Sequence, residues 1–233
     1  MALPLTTDQV DRSSIPAQPR GIARDFMLAR LGSLFAFLPL GVWTTVHLWN
    51  QLAAYQSPEA WQASVTGYVS PAAMALTFAV VLGPLLWHTV WGIGRMVKSR
   101  PNLRIGWFSN FRYILQRLSA VGLLLFLGAH LYLAWFEPRI LLGRPEPFAE
   151  ISQQMHFHLP TLAVYILGVL GIAYHLANGL WSFLSMGWGV TVSKAGIAWM
   201  ERVSLLFFFV LLAVGWAAVY GLYAGGAIYG PPV

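Results

Sequence analysis

The chain has 233 residues, 58% of them hydrophobic and 9% charged, with a formal net charge of +6 and no cysteine. Together with apolar runs of about 20 residues, this is the composition of a polytopic helical membrane protein and leaves no length for a separate soluble domain. The lack of cysteine excludes disulfides, thiolate-held iron–sulfur clusters and thioether-attached cofactors within the chain.

The N-terminal stretch, residues 1–28, carries Pro4, Pro16 and Pro19 and has no apolar core of its own, so it does not read as a signal peptide. It is expected to lie along the cytoplasmic surface or under a partner. Hydropathy then predicts five helices, at 29–52, 71–96, 112–136, 160–186 and 202–226, each long enough to cross a bilayer with some tilt. Residues 29–226 therefore form one membrane domain, followed by a short tail at 227–233.

Basic residues orient the spans. Twelve of the fourteen Lys and Arg fall in the N-terminal tail, in the second connection or around the fourth, while the third connection holds only Arg139 and Arg144 and the first holds none. The positive-inside bias puts the N-terminus in the cytoplasm and the C-terminus outside. Most of this basic face records insertion and contact with anionic lipid, and no nucleic-acid partner is expected. Arg30, Arg117 and Lys194 stand close to helix ends, where a buried anionic group would be within reach.

The first four predicted helices each contain one histidine: His47, His88, His130 and His175. An ionisable side chain at membrane depth is by default a functional hypothesis. With about 1.5 Å of rise per residue, His88 lies roughly 10 Å from the cytoplasmic end of its helix, and His175 falls in the cytoplasmic half of its own. His47 and His130 lie roughly 25 Å from that side. Their depths sort into two pairs, His88 with His175 and His47 with His130.

A porphyrin held between two helices needs an imidazole from each and space beside it. Gly92 and Gly171 are i±4 neighbours of His88 and His175 and remove side chains there. The other pair is flanked instead by Trp43 and Gln51, and by Phe126 and Ala134, leaving Gly41 and Gly128 to give space less directly. Pro84, one turn before His88, is expected to bend its helix. A single intramembrane histidine is often only hydrogen-bonded to a neighbouring helix, and glycines are often packing devices. Two depth-matched pairs on alternating helices outweigh those readings, and two bis-histidine haems are expected. Zinc is the weaker alternative, because the pairs lie too far apart vertically to make one site of four ligands. With both axial positions filled, such haems carry electrons.

Several stretches carry a family resemblance: RLGSLFAFLPLG with HLWNQ, PLLWHTVWGI, LQRLSAVG with the later His130, and YHLANGLWSF followed by WGVTVS. Over about residues 25–220 they resemble the cytochrome b subunit of succinate:menaquinone oxidoreductases, of the single-chain, five-helix, di-haem type also found in quinol:fumarate reductases. The resemblance implies an all-α membrane bundle around two stacked haems b, a proximal one on His88 and His175 and a distal one on His47 and His130. It implies propionate contacts from Arg30, Ser33, Gln116 and Arg117. It also implies a flavoprotein and an iron–sulfur protein docked on the cytoplasmic face of a bacterial membrane, with electrons passing from succinate to menaquinone.

The N-terminal tail and the loop from Pro138 to Pro160 depart from the family pattern. A quinone headgroup needs hydrogen-bond donors, a proton route and an apolar slot, which favours the outer side near the distal haem. Gln51, Trp49, Glu59, Glu137, His156 and His158 are candidates there by position, each with a solvated-loop alternative; Trp49 and Trp61 also read as interfacial belt residues. The same architecture run in reverse would be a quinol:fumarate reductase. Less favoured alternatives are a di-haem subunit of another membrane oxidoreductase, such as a hydrogenase or formate dehydrogenase, and a haem-free transporter or scaffold. A higher oligomer of the complex is compatible with the apolar surface, on which lipid-facing and partner-facing Leu, Phe and Trp look alike.

Overall fold

In the absence of water, every backbone N–H and C=O in a bilayer must find its partner within the chain, and helices do this segment by segment. The computed structural model describes residues 20–67, 69–98, 108–191 and 193–231, and follows that rule throughout. Among the described residues, five helices are long and apolar enough to cross a membrane: α1 (Arg24–Tyr55), α2 (Pro71–Lys98), α3 (Asn110–Leu141), α5 (Leu159–Ser185) and α6 (Lys194–Gly226). A shorter helix, α4 (Phe148–Phe157), lies between α3 and α5. The N-terminal tail to residue 19 and the basic connection at 99–107 lie outside the described residues.

The boundaries differ from expectation where polar chemistry extends a helix. Lys194–Gly226 begins eight residues before the predicted start at Arg202, because the Ser193 side chain accepts a hydrogen bond from the Gly196 N–H (3.0 Å) and caps it. Within the loop from Pro138 to Pro160, α4 forms with Phe148, Ile151, Ser152 and Met155 buried on one face. A one-turn helix, Pro58–Trp61, similarly starts from a Ser57 cap.

Three prolines sit in or beside wide helical turns. Pro39 lies within Ala36–Gly41 and Pro138 within Tyr132–Leu141. Ahead of Pro84, the segment Phe78–Leu82 widens and the Gly83 N–H donates to the Phe78 carbonyl, five residues back. Such turns let the helix continue past residues that break the usual ladder.

The buried core unites α1, α4, α5 and α6 through Leu48, Met155, Val169, Ala173, Leu211 and Leu222. Close approach here depends on missing side chains. A methyl group on Gly215 would overlap the Val169 side chain, and one on Gly226 would overlap the Ser152 carbonyl, so the α6 backbone meets a side chain of α5 and the backbone of α4. Far less of α2 and α3 is buried within the chain.

The molecule has two chemically distinct ends. Arg30, Arg95, Lys98, Arg112, Arg117 and Lys194 gather at the end where α1 and α6 begin, the basic end. At the opposite end, the segment after α1 and the helix α4 make a cap. The Gln62 amide and the Thr66 hydroxyl both donate to the Glu146 carbonyl (2.9 and 3.1 Å), Gln62 Oε1 accepts from the Phe148 N–H (3.0 Å), and Arg139 donates to the Thr66 carbonyl (3.1 Å).

Candidate functional site

The four intramembrane histidines meet as two pairs. His88 on α2 faces His175 on α5 with ring centres 6.2 Å apart and planes at 77°. His47 on α1 faces His130 on α3 at 6.1 Å and 66°. The first pair lies towards the basic end and the second towards the cap.

That separation has a simple chemical reading. Two imidazole nitrogens each bonded at about 2 Å to one shared metal place their ring centres about 6 Å apart. Among the described residues no group of three or more His, Cys, Asp or Glu gathers to hold a bare metal ion. Each site thus offers two facing imidazoles, enough to hold a haem between them and too few for a tetrahedral zinc. A methyl group on Gly92 or Gly128 would meet no heavy atom within 4 Å, so both glycines border open space; Gly171 and Gly41 make ordinary contact with Leu123 and Leu176 at 3.8 Å.

The surroundings of the two pairs differ. At the pair nearer the cap, Trp43 stacks on His47 (4.7 Å, 8°) and Phe126 on His130 (5.5 Å, 13°), each from one helical turn earlier. A methyl group on Gly168 would overlap Phe126, so that glycine seats the ring. The Tyr165 hydroxyl lies 3.1 Å from His130 Nδ1. Gln51 reaches both ways: its amide nitrogen is 3.4 Å from His47 Nε2, and its oxygen accepts from Trp61 Nε1 (2.8 Å).

At the other pair, polar groups replace the stacked rings. His175 Nδ1 lies 3.2 Å from the Ser119 hydroxyl and 3.3 Å from the Gln116 amide nitrogen. His88 Nδ1 is buried with no hydrogen-bond partner among the described residues, as are Arg30 Nε and Trp181 Nε1. Buried polar atoms of this kind call for an acceptor or a ligand. The Arg30 guanidinium packs 4.2 Å over Phe26, and Ser33 donates to the carbonyls of Ala29 and Arg30 (3.1 and 2.9 Å). Arg117 packs 4.2 Å over Tyr113. Arg30, Ser33 and Arg117 thus lie at the basic end, while the Gln116 amide is engaged by His175 and Asn178.

The residues expected at the outer side scatter. Only Gln51 approaches a histidine pair. Trp49 is 65% exposed, and Glu59 sits at the exposed start of the Pro58–Trp61 turn, held below the usual carboxylate pKa by hydrogen bonds from its own backbone and from Ser57. His156 Nδ1 donates to the Tyr223 carbonyl (2.9 Å), and His158 pairs with Thr161 (2.8 Å). Sequence reading missed Tyr165 and Ser119, which lie against His130 and His175, and Asn178, which holds Gln116; their spacing along the helices was legible, but not the rotation that sets these contacts.

No protein-family model matches the chain. It is 31% identical over 204 residues to the succinate dehydrogenase cytochrome b558 subunit of Bacillus subtilis (strain 168), an alignment covering 84% of this chain and 96% of that protein. With its five membrane-crossing helices, this is a multi-pass protein of the bacterial membrane. The chain belongs to the cytochrome b membrane subunits of succinate dehydrogenase, respiratory complex II.

Proposed function

We propose that the chain holds two haems b, anchors the flavoprotein and iron–sulfur subunits of succinate dehydrogenase at its basic, cytoplasmic face, and connects them electrically to menaquinone near its outer, cap end. The observation that carries this reading is the pair of imidazole pairs, with ring centres 6.2 and 6.1 Å apart at two levels of one bundle. Bound there, haem b would supply one-electron transfer, with the four histidines holding it.

The protein's own residues divide the work. His88 and His175 would hold the proximal group, and His47 and His130 the distal one. Arg30 Nε, without a partner among the described residues, and the adjacent Ser33 on α1, with Arg117 and Gln116 on α3, support propionate binding at the basic end. At the cap end, Gln51 bridges His47 and Trp61 and supports a quinone headgroup site there; Trp49 and Glu59 would serve its rim rather than its floor. The stacked Trp43 and Phe126 exclude water from the distal imidazoles.

A dithionite-reduced minus oxidised spectrum with pyridine haemochrome quantification tests this directly. Two haems b per chain are expected, with His47→Ala and His88→Ala each removing or perturbing a different one. A well-folded chain without haem would return the histidines to helix packing or transport.

A further inference from the structure

The histidines of the first pair are not supported alike: His88 Nδ1 has no partner among the described residues, whereas His175 sits at the end of a chain of side chains that reaches the basic surface. The chain starts at Arg112, whose guanidinium pairs with Glu201 (2.8 Å) and packs 4.0 Å over Trp181. Arg112 Nε donates to Asn178 Oδ1 (3.0 Å), Asn178 Nδ2 donates to Gln116 Oε1 (2.8 Å), and Gln116 Nε2 lies 3.3 Å from the His175 carbonyl and 3.3 Å from His175 Nδ1.

The direction of this chain is not free. A guanidinium only donates, so Asn178 must turn its oxygen towards Arg112 and its NH2 towards Gln116. Gln116 must then turn its oxygen to Asn178 and its NH2 to His175. An amide NH2 cannot accept the imidazole proton, which leaves the Ser119 hydroxyl, 3.2 Å from Nδ1, as the acceptor. Ser119 is free to accept because its own proton goes to the Gln116 carbonyl (3.0 Å). Ligation through Nε2 requires Nδ1 to keep its hydrogen; in that tautomer Ser119 receives the Nδ1 proton and the Gln116 NH2 donates to the His175 carbonyl.

We propose that Ser119 is the positioning residue of His175, and that the relay Arg112–Asn178–Gln116 fixes its orientation from the basic surface. The proposal rests on the two-haem reading and adds to it how one ligand is prepared. It also gives Asn178, the buried asparagine of HLANGLWSF, a task that backbone packing does not.

The test is a redox titration, followed optically, of the full chain assembled with its partner subunits in membranes. Ser119→Ala shifts one of the two midpoint potentials upward and leaves the other in place, since an imidazole that loses its Nδ1–H acceptor is a weaker donor to iron. Ser119→Thr keeps the hydroxyl and restores the original value. Asn178→Leu moves the same haem as Ser119→Ala, and carries the same readout if the alanine variant does not assemble. Loss of one haem from Ser119→Ala but not from Ser119→Thr also supports the relay.

Two haems with unmoved potentials in Ser119→Ala and Asn178→Leu overturn the relay alone. His175→Ala tests the reading beneath it: retention of both haems there, or none in the unaltered chain, overturns the ligation itself, and the relay with it.

Discussion

Glu146 places a carboxyl group where it cannot easily be charged. Only 7% exposed in the cap, it is pushed up to about 7 by burial first and then by the like charges of Glu150 and Glu137, against the partial relief of Arg144. An unfolded chain would release this proton near the ordinary value of 4.5. Between about pH 4.5 and pH 7 the folded chain therefore holds a proton that the unfolded chain has lost, and stability falls as pH rises through that window. Above pH 7 the loss is complete. Glu146→Gln keeps the shape without the charge, so it should raise the thermal midpoint of the solubilised protein at pH 8 and leave it nearly unchanged at pH 5. Equal effects at both values would show that the carboxyl is solvated.

Among the helices, α6 tolerates least. Gly226→Val would press a side chain into the Ser152 carbonyl, a backbone atom that cannot step aside, and Gly215→Leu would press one into Val169. Overpacking of this kind costs about 1–3 kcal/mol, so both substitutions should lower the midpoint of detergent or thermal unfolding. Gly94→Ala on α2, where a methyl group meets nothing within 4 Å, should not. The same contrast explains what could be read in advance. Five spans were legible because lipid imposes a minimum apolar length on each, and the pairing of His88 with His175 and of His47 with His130 followed from helical rise and alternating direction. α4 was not legible, because ten residues carrying Glu150, Gln153 and Gln154 leave too short and too polar a signal. Nor were Tyr165 and Ser119 legible as partners of histidines, or Asn178 as a partner of Gln116, since that depends on how far each helix is rotated about its own axis.

For the whole molecule, the two histidine pairs at different depths bear on the proposed electron route. On the proposed orientation and with succinate as donor, electrons would enter at the negative inner side and leave towards the positive outer side. A full crossing releases about 2.3 kcal/mol per 100 mV of membrane potential, which assists reduction of a low-potential quinone. Turnover with a menaquinone analogue in coupled vesicles should fall when the potential is collapsed; unchanged turnover would place the quinone on the inner side or remove the second site from the path.

The packing of α6 also bears on how the subunit is made. α6 leaves the ribosome after α1, α4 and α5, which pack against it, yet Leu211, Leu212, Val219 and Leu222 supply much of the buried core. Until that segment enters the bilayer, the earlier helices lack the surface against which α4 and α5 settle. Assembly of this subunit is thus post-translational in effect, even when insertion is not: a nascent chain halted ahead of Lys194 would be threaded through the membrane correctly and still be unable to close.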